Sequence, residues 1–278
     1  MKKIKITKMN GTGNDFVIID NRLDVLKNIS LPDFARTICR RDLVGADGLI
    51  LIENSQVADF KWRFFNSDGS EAEMCGNGGR CVARFALLKG IANTILTFET
   101  KAGIIQAEVK NSRVKLQLPQ PTNIKLNQEI FLDNKPYSMH YINTGVPHVG
   151  TFTEDLDQVP VKELGKKIRF HPVFQPAGTN VNFIQRIDSF HLNVRTYERG
   201  VEDETFACGT GSVASALIAA ALKLVQPPVE VKTRGGEILT IYFQKAIDNS
   251  FSHIFLEGNT CLVFEATLGE DVCFNEKN

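Results

Sequence analysis

The sequence predicts an α+β fold of two pseudo-symmetric domains, each a curled, mostly antiparallel sheet around one central helix. Three observations predict it. The 278-residue chain repeats itself at an offset of 133 positions (75 to 208), it carries two apolar helical segments in equivalent places, and strand-like text flanks each of them. A chain of this length holds about two domains of ~150 residues or one large one. The repeat, too long in period for a solenoid, decides for two.

At the 133-residue offset Glu71 falls on Glu204, Phe64 on Tyr197, Cys75 on Cys208, Gly76 on Gly209, Gly78 on Gly211 and Ala83 on Ala216. Thr100, Lys101 and Gly103 fall on Thr233, Arg234 and Gly236, inside FETKAGIIQAEV and VKTRGGEILTIY. In the first half, apolar and β-branched periodicity predicts strands over 4–9, 16–20, 49–53 and 60–66, a helix from 76 to about 89, then strands over 95–101, 104–110 and 114–118. Gly103 supplies a turn between two of them. The second half repeats the order, with strands over 141–144, 181–185 and 191–198, a helix from about 209 to 224, and strands over 229–233, 237–243 and 254–257. Val82, Ala83, Phe85, Ala86 and Leu87 make most of the first helix apolar, and 213–222 does the same for the second. Helices apolar nearly all round are wrapped by other elements. Pro119 and Pro121 break any strand, and 123–134 is polar and turn-rich, so the domains are expected at 1–125 and 126–278, with the chain end free to cross back to the first.

Composition narrows the function. With 43% hydrophobic and 23% charged residues the chain is globular and not disordered. Thirty-two basic residues against 32 acidic ones, a net charge of +0, give no field toward nucleic acid or anionic lipid. Six cysteines are too sparse for a disulfide framework, MKKIKITKMN alternates apolar and polar residues without the apolar run of a signal peptide, and 213–222 is shorter than the ~20 residues of a membrane span. A cytoplasmic protein is expected, with no membrane or nucleic-acid partner.

The chemistry concentrates where the copies correspond, in Met74-Cys75-Gly76-Asn77-Gly78-Gly79-Arg80 and Ala207-Cys208-Gly209-Thr210-Gly211-Ser212. Each cysteine precedes a Gly-x-Gly turn that opens an apolar helix. A helix N-terminus presents unsatisfied N–H groups and about half a positive charge, which favours a thiolate and binds a carboxylate. One cysteine before a helix is more often a small buried hydrophobe than a catalyst; two related by a repeat point to thiols on opposite sides of one small anion. That geometry suits exchange of the hydrogen next to a carboxylate, one thiolate removing it and the opposite thiol replacing it with inversion. Backbone N–H groups of Gly76, Asn77, Gly209 and Thr210 would hold the charge that develops on the carboxylate. Rival motifs fail. GTGSVA fits G-x-G-x-x-A without the acidic residue and parallel-sheet context of a dinucleotide fold, a P-loop is absent, and Cys75 and Cys81 lack further ligands at zinc spacing. No metal and no cofactor are expected, and Cys39, Cys81, Cys261 and Cys273 read as background.

Further motifs place the chain beside a known family. KMNGTGNDF from Lys8, FNSDGSE from Phe65, Met74 to Cys81, GTNVNF from Gly178, and Tyr197-Glu198-Arg199-Gly200 followed by Ala207 to Gly211 together resemble the diaminopimelate epimerases, over nearly the whole length. The resemblance implies an isomerase that interconverts LL- and meso-2,6-diaminoheptanedioate without pyridoxal phosphate, in lysine and peptidoglycan-precursor synthesis. It implies Cys75 and Cys208 as the acid/base pair and Asn14, Asn66, Asn180, Glu198 and Arg199 as substrate contacts. Asn77, Gly209 and Thr210 match the family's helix-start positions, and His148 with Glu198 matches a pair beside the thiols that relays protons. Two departures, Val146 where the family often has asparagine and Gly48 where some members have glutamine, open the distal end of the substrate to broader specificity. The expected partner is a small amino-acid substrate, with a homodimer left open. The rival readings are a two-cysteine proline or hydroxyproline racemase or dehydratase, and a non-catalytic binder of the same fold.

Overall fold

The structure is a computed structural model and describes residues 3–248, 250–269 and 272. The chain divides into two compact units, Met1–Leu116 with Gly258–Asn278, and Gln117–Glu257.

Unit 1 runs β1 (Lys5–Gly11), β2 (Asn14–Asp20), α1 (Leu31–Ile38), β3 (Gly48–Glu53), β4 (Phe60–Asn66), β5 (Glu71–Ala72), α2 (Gly76–Leu88), β6 (Ile95–Thr100), β7 (Gly103–Lys110) and β8 (Arg113–Gln117), and is completed by β18 (Cys261–Thr267). Unit 2 runs β9 (Thr122–Leu132), β10 (Lys135–Asn143), β11 (Pro147–Phe152), α3 (Val161–Arg169), β12 (Asn180–Arg186), β13 (His191–Glu198), β14 (Asp203–Thr205), α4 (Gly209–Ala221), β15 (Val229–Thr233), β16 (Ile238–Lys245) and β17 (Phe251–Asn259).

The pairing pattern repeats nine strands later. β2–β3 and β4–β6 are parallel in unit 1, as β11–β12 and β13–β15 are in unit 2. Antiparallel β3–β4, β4–β5 and β6–β7 match β12–β13, β13–β14 and β15–β16. Parallel neighbours need a crossover, and α1, α2, α3 and α4 supply the four. β18 pairs with β1 as β9 pairs with β10, so the returning chain end supplies the strand that unit 2 draws from its own start.

Side chains alternate between the two faces of each strand. Val17, Ile19, Leu49, Leu51 and Phe65 pack with Phe34 and Ile38 of α1. Val149, Val181, Phe183 and Tyr197 pack with Val161 and Ile168 of α3. The opposite face receives the longer helices: α4 is buried from Gly211 to Ala221 and touches β10, β11, β12, β13, β15 and β16.

Two expectations need correction. Each unit carries a second, shorter helix, α1 or α3, so the sheet is covered on both faces. The α1 text LPDFARTI buries Leu31, Phe34, Ala35 and Ile38 at helical spacing after an early proline. Residues 123–134, read as a polar linker, form most of β9. Its asparagines mark irregularities, Asn123 and Asn127 at positive φ, and Asp133-Asn134, both at positive φ, make the two-residue turn into β10.

Candidate active site

Cys75 and Cys208 are the N-cap residues of α2 and α4, both in extended backbone and both leading helices of 13 residues. The Cys75 carbonyl accepts the Gly79 N–H at 2.7 Å and the Cys208 carbonyl accepts the Ser212 N–H at 2.9 Å, so each thiol stands over a first turn whose N–H groups lack helical partners. The hairpin before each cysteine is held by a glutamate between two cations. In unit 1 Glu71 lies 2.7 Å from Arg63 and 2.9 Å from Lys101. In unit 2 Glu204 takes both Arg195 Nε and Nη2, at 2.7 and 2.9 Å, and also Arg234.

In unit 1 the first turn of α2 is tied to the β1–β2 turn. Asn77 Nδ2 donates to Asn14 Oδ1 at 2.7 Å, and Asn14 Nδ2 donates to Asp47 Oδ2 at 2.9 Å. The fully buried Arg80 donates to Asn77 Oδ1 at 2.8 Å and to the Thr12 hydroxyl. Asn66 ends β4 opposite Gly48 and donates to Ser70 Oγ at 2.9 Å, inside its own turn. Cys75 is partly exposed at this edge, while Gly76 has open space where a side chain would stand.

In unit 2 the surroundings of Cys208 are buried and polar. His148, fully buried, has Nε2 3.0 Å from Thr210 Oγ1, and Thr210 Oγ1 lies 3.6 Å from Cys208 Sγ. Burial pushes the Cys208 thiol up to about 12, with Glu198 adding to the effect and the Thr210 hydroxyl and the Gly211 and Thr210 N–H groups opposing it. Burial raises the Glu198 carboxyl as well. The His148 imidazole is held down to about 3 by burial, with the Arg199 charge adding to it, so the ring is neutral at pH 7. Asn180 clamps the region, donating to the Pro147 carbonyl and accepting the Arg199 N–H at 2.8 Å; Arg199 Nη1 reaches the Ala177 carbonyl. Thr210 closes the group, since its carbonyl accepts the Thr144 hydroxyl beside the turn that holds Val146.

The structure thus gathers Asn14, Cys75, Gly76 and Asn77 in one unit and His148, Asn180, Glu198, Arg199, Cys208, Gly209 and Thr210 in the other, while Asn66 bonds locally. Sequence reasoning assigns no role to Asn182 and Thr196, buried beneath the α4 start, or to Arg80, buried within the first turns of α2. A signal existed: Asn182 and Thr196 stand two residues from Asn180 and Glu198, on the same strand faces. Among the background cysteines, Cys39 and Cys81 are buried and Cys261 is exposed, whereas Cys273 lies outside the described residues. Among the described residues no cluster of three or more His, Cys, Asp or Glu is arranged to hold a metal, and no helix is long and apolar enough to cross a membrane.

A thiol held protonated in a buried pocket, a carboxylate beside it and a helix terminus under it can deliver a proton to carbon and take one back. Solved structures share the fold. A phenazine biosynthesis protein of the PhzF family from Bacillus anthracis superposes with a TM-score of 0.72 at 20% identity, covering 96% of this chain and 99% of that one. A hydroxyproline epimerase from Agrobacterium vitis gives 0.68 at 15% identity, over 97% and 93%. Sequence relatives are much nearer. The diaminopimelate epimerase of Aquifex aeolicus is 49% identical, over 95% of this chain and 98% of its own, and that of Archaeoglobus fulgidus is 45% identical, over 84% and 88%. The family model described as diaminopimelate epimerase matches residues 6–122 and 140–251, taking in both cysteine turns. The chain therefore belongs to the diaminopimelate epimerase family.

Proposed function

We propose that the chain interconverts LL- and meso-2,6-diaminoheptanedioate by passing the α-hydrogen through two thiols, Cys75 and Cys208, as a step toward lysine and peptidoglycan precursors. The observation that carries the reading is the pair of cysteines at equivalent N-cap positions of two 13-residue helices in a chain of this family. One sulfur, as thiolate, takes the α-proton while the other, as thiol, gives its proton to the opposite face of the carbon, and the two protonation states exchange. In the direction in which Cys208 starts as the thiol, the form its burial favours, it is the donor and Cys75 the base, and in the reverse direction the roles exchange. Negative charge developing on the substrate carboxylate is met by N–H groups of Gly76, Asn77, Gly209 and Thr210. Glu198 and the carbonyl oxygens of Asn14, Asn66 and Asn180 receive ammonium hydrogens, and Arg199 pairs with the distal carboxylate. This exchange of one proton for another needs neither a metal nor pyridoxal phosphate. The same reading places the enzyme in the cytoplasm, acting on a small molecule and not on nucleic acid, as a monomer or a homodimer.

The test is turnover of LL-diaminopimelate in deuterated water. Deuterium is expected at the α-carbon of the meso product, Cys75→Ala and Cys208→Ala each abolish the reaction, and Cys39→Ala keeps it. Product without deuterium would overturn the two-base exchange, and turnover of proline in preference to diaminopimelate would overturn the substrate.

A further inference from the structure

Three buried polar residues lie beneath the α4 start, where unit 1 has three apolar ones. β11 and β12 run parallel with His148 opposite Asn180, and β2 and β3 run parallel with Phe16 opposite Gly48. Asn182 faces Thr196 across β12–β13, and Ile50 faces Phe64 across β3–β4. His148, Asn182 and Thr196 therefore occupy the register positions of Phe16, Ile50 and Phe64, at an offset of 132 (16 to 148). Tyr197, which the 133-residue offset sets on Phe64, corresponds in the sheet to Phe65, since each of these pairs with the glutamate of the next strand. Close contacts agree. A Cβ on Gly211 would stand 2.5 Å from Asn182 Oδ1 and 3.2 Å from Thr196 Oγ1, and a Cβ on Gly78 would meet Ile50, Trp62 and Phe16, with Phe64 packed against Trp62 and Phe16. Since α2 begins on an apolar floor with the same backbone, folding does not require the polar trio, and burying unneeded polar groups is costly.

The hydrogen bonds run in one direction. The Val149 carbonyl oxygen can only accept, and it takes Asn182 Nδ2 at 2.9 Å, which fixes the orientation of the amide. The other end agrees, because Asn182 Oδ1 accepts the Thr196 hydroxyl at 2.9 Å. The second hydrogen on Nδ2 then points at His148 Nδ1, 3.2 Å away, and that nitrogen must present its lone pair. The imidazole proton then sits on Nε2, donated to Thr210 Oγ1 at 3.0 Å, which leaves the Thr210 hydroxyl hydrogen to be donated to Cys208 Sγ, 3.6 Å away, when that sulfur is a thiolate.

We infer that Asn182, held by Thr196 and Val149, is a positioning residue that fixes His148 as the Nε2–H tautomer and so aims a chain of hydrogen-bond donors, through Thr210, at the Cys208 sulfur. The inference deepens the proposed epimerase mechanism and rests on it for the role of Cys208. A donor aimed at sulfur stabilises the thiolate, which Cys208 must become in half of each cycle against burial and the neighbouring Glu198. His148 then acts as a neutral donor; its proton is already in place, so it is not the base that strips the thiol.

The experiment is 15N-histidine NMR on the substrate-free full-length protein, the His148 signals being assigned by their loss in His148→Phe. The inference expects Nε2 protonated and Nδ1 bare. Asn182→Asp, which puts an acceptor against Nδ1, moves the proton to Nδ1 and lowers kcat roughly ten- to hundredfold, with KM changed by less than about threefold. Asn182→Leu, the counterpart of Ile50, releases the tautomer to a mixture and lowers kcat similarly. A wild-type ring protonated at Nδ1 would overturn the inference, as would an unchanged tautomer in whichever of the two variants gives a cooperative thermal melt. The tautomer is read without substrate, so a protein with the expected ring and no turnover would sink the epimerase reading and leave this one standing.

Discussion

Under α2 the first turn rests on Phe16, Ile50 and Trp62, with Phe64 opposite Ile50 and the Arg80 guanidinium buried at the next turn; under α4 the positions of Phe16, Ile50 and Phe64 carry His148, Asn182 and Thr196, with Val213 in place of Arg80 and the Glu198 carboxyl nearby. What the halves share is what the backbone needs: an N-cap cysteine, a glycine two residues into the helix and a glutamate clamped between two cations. What differs is electrostatic. A two-base exchange starts with one sulfur protonated and the other not, so identical surroundings would leave each thiol in the wrong state half the time. The duplicated fold supplies two equivalent places for sulfur, and the residues beneath them make the places unequal.

Glycine-to-alanine replacements are the harshest way to break the comparison. In Gly211→Ala the new methyl stands 2.5 Å from Asn182 Oδ1 and 3.2 Å from Cys208 Sγ, so the amide that orients His148 must move. The expected cost is on the order of a hundredfold in kcat and about 2–3 kcal/mol in stability, the scale of overpacking in a closed core. In Gly78→Ala the nearest atom is the flexible end of Ile50, 3.1 Å away, and the gain of about 1 kcal/mol in helix propensity offsets the crowding. Urea unfolding and an epimerase assay on both variants check this; equal losses would show that the two floors are equally tight.

Acid separates the halves next. The His148 ring stays neutral down to about 3 when folded, against an unfolded value of 6.5, so the folded chain binds fewer protons than the unfolded one between those limits. Stability from this group is complete above about pH 6.5 and is lost as pH falls toward 3, at about 1.4 kcal/mol per pH unit. In His148→Phe, which imports the unit 1 residue, that loss disappears. The fall in unfolding free energy from pH 7 to pH 4.5 should be about 2–3 kcal/mol larger in the wild type, and parallel curves would show that the ring is charged in the folded protein.

Much of this was legible in the sequence, and the reason is local. The thiol turns, most strands and both long helices follow from periodicity and glycine placement, and the pattern predicts 60–66, 191–198 and 229–233 at their observed bounds. α1 and α3 escaped because eight or nine residues give barely two turns of pattern, and in α3 Gly165 weakens the signal; it is glycine because Tyr197 packs where its side chain would be. β9 escaped because one of its faces is polar and its asparagines at positive φ look like loop. The relay under Cys208 was half visible. His148 was singled out by resemblance, but the partner that sets its tautomer depends on which strands are neighbours, and β11 meets β12 across a crossover of 27 residues, from 153 to 179.

The mildest way to sharpen the comparison is through the glutamates that both halves keep. Glu204 is 7% exposed and holds Arg195 through two parallel N–H bonds, whereas Glu71 is 21% exposed and takes Arg63 through Nε and Lys101 as a point charge. Arg63 holds the Glu71 carboxyl below its usual range, and burial opposes that. Replacing either glutamate by glutamine keeps the shape and one acceptor while removing the charge between two cations. At the more open site solvent and salt already screen the pair, so Glu71→Gln should cost less than about 1 kcal/mol, and the cost should shrink further in high salt. At the closed site the half-exposed Arg234 turns to solvent, but Arg195, 17% exposed, loses its counter-charge with little water to replace it, so Glu204→Gln should cost about 2 kcal/mol and depend less on salt. Urea unfolding at low and high salt measures both. A salt-insensitive loss at Glu71, or none at Glu204, would mean that the clamp serves the two cysteine hairpins alike and that the asymmetry begins only at the residues beneath the thiols.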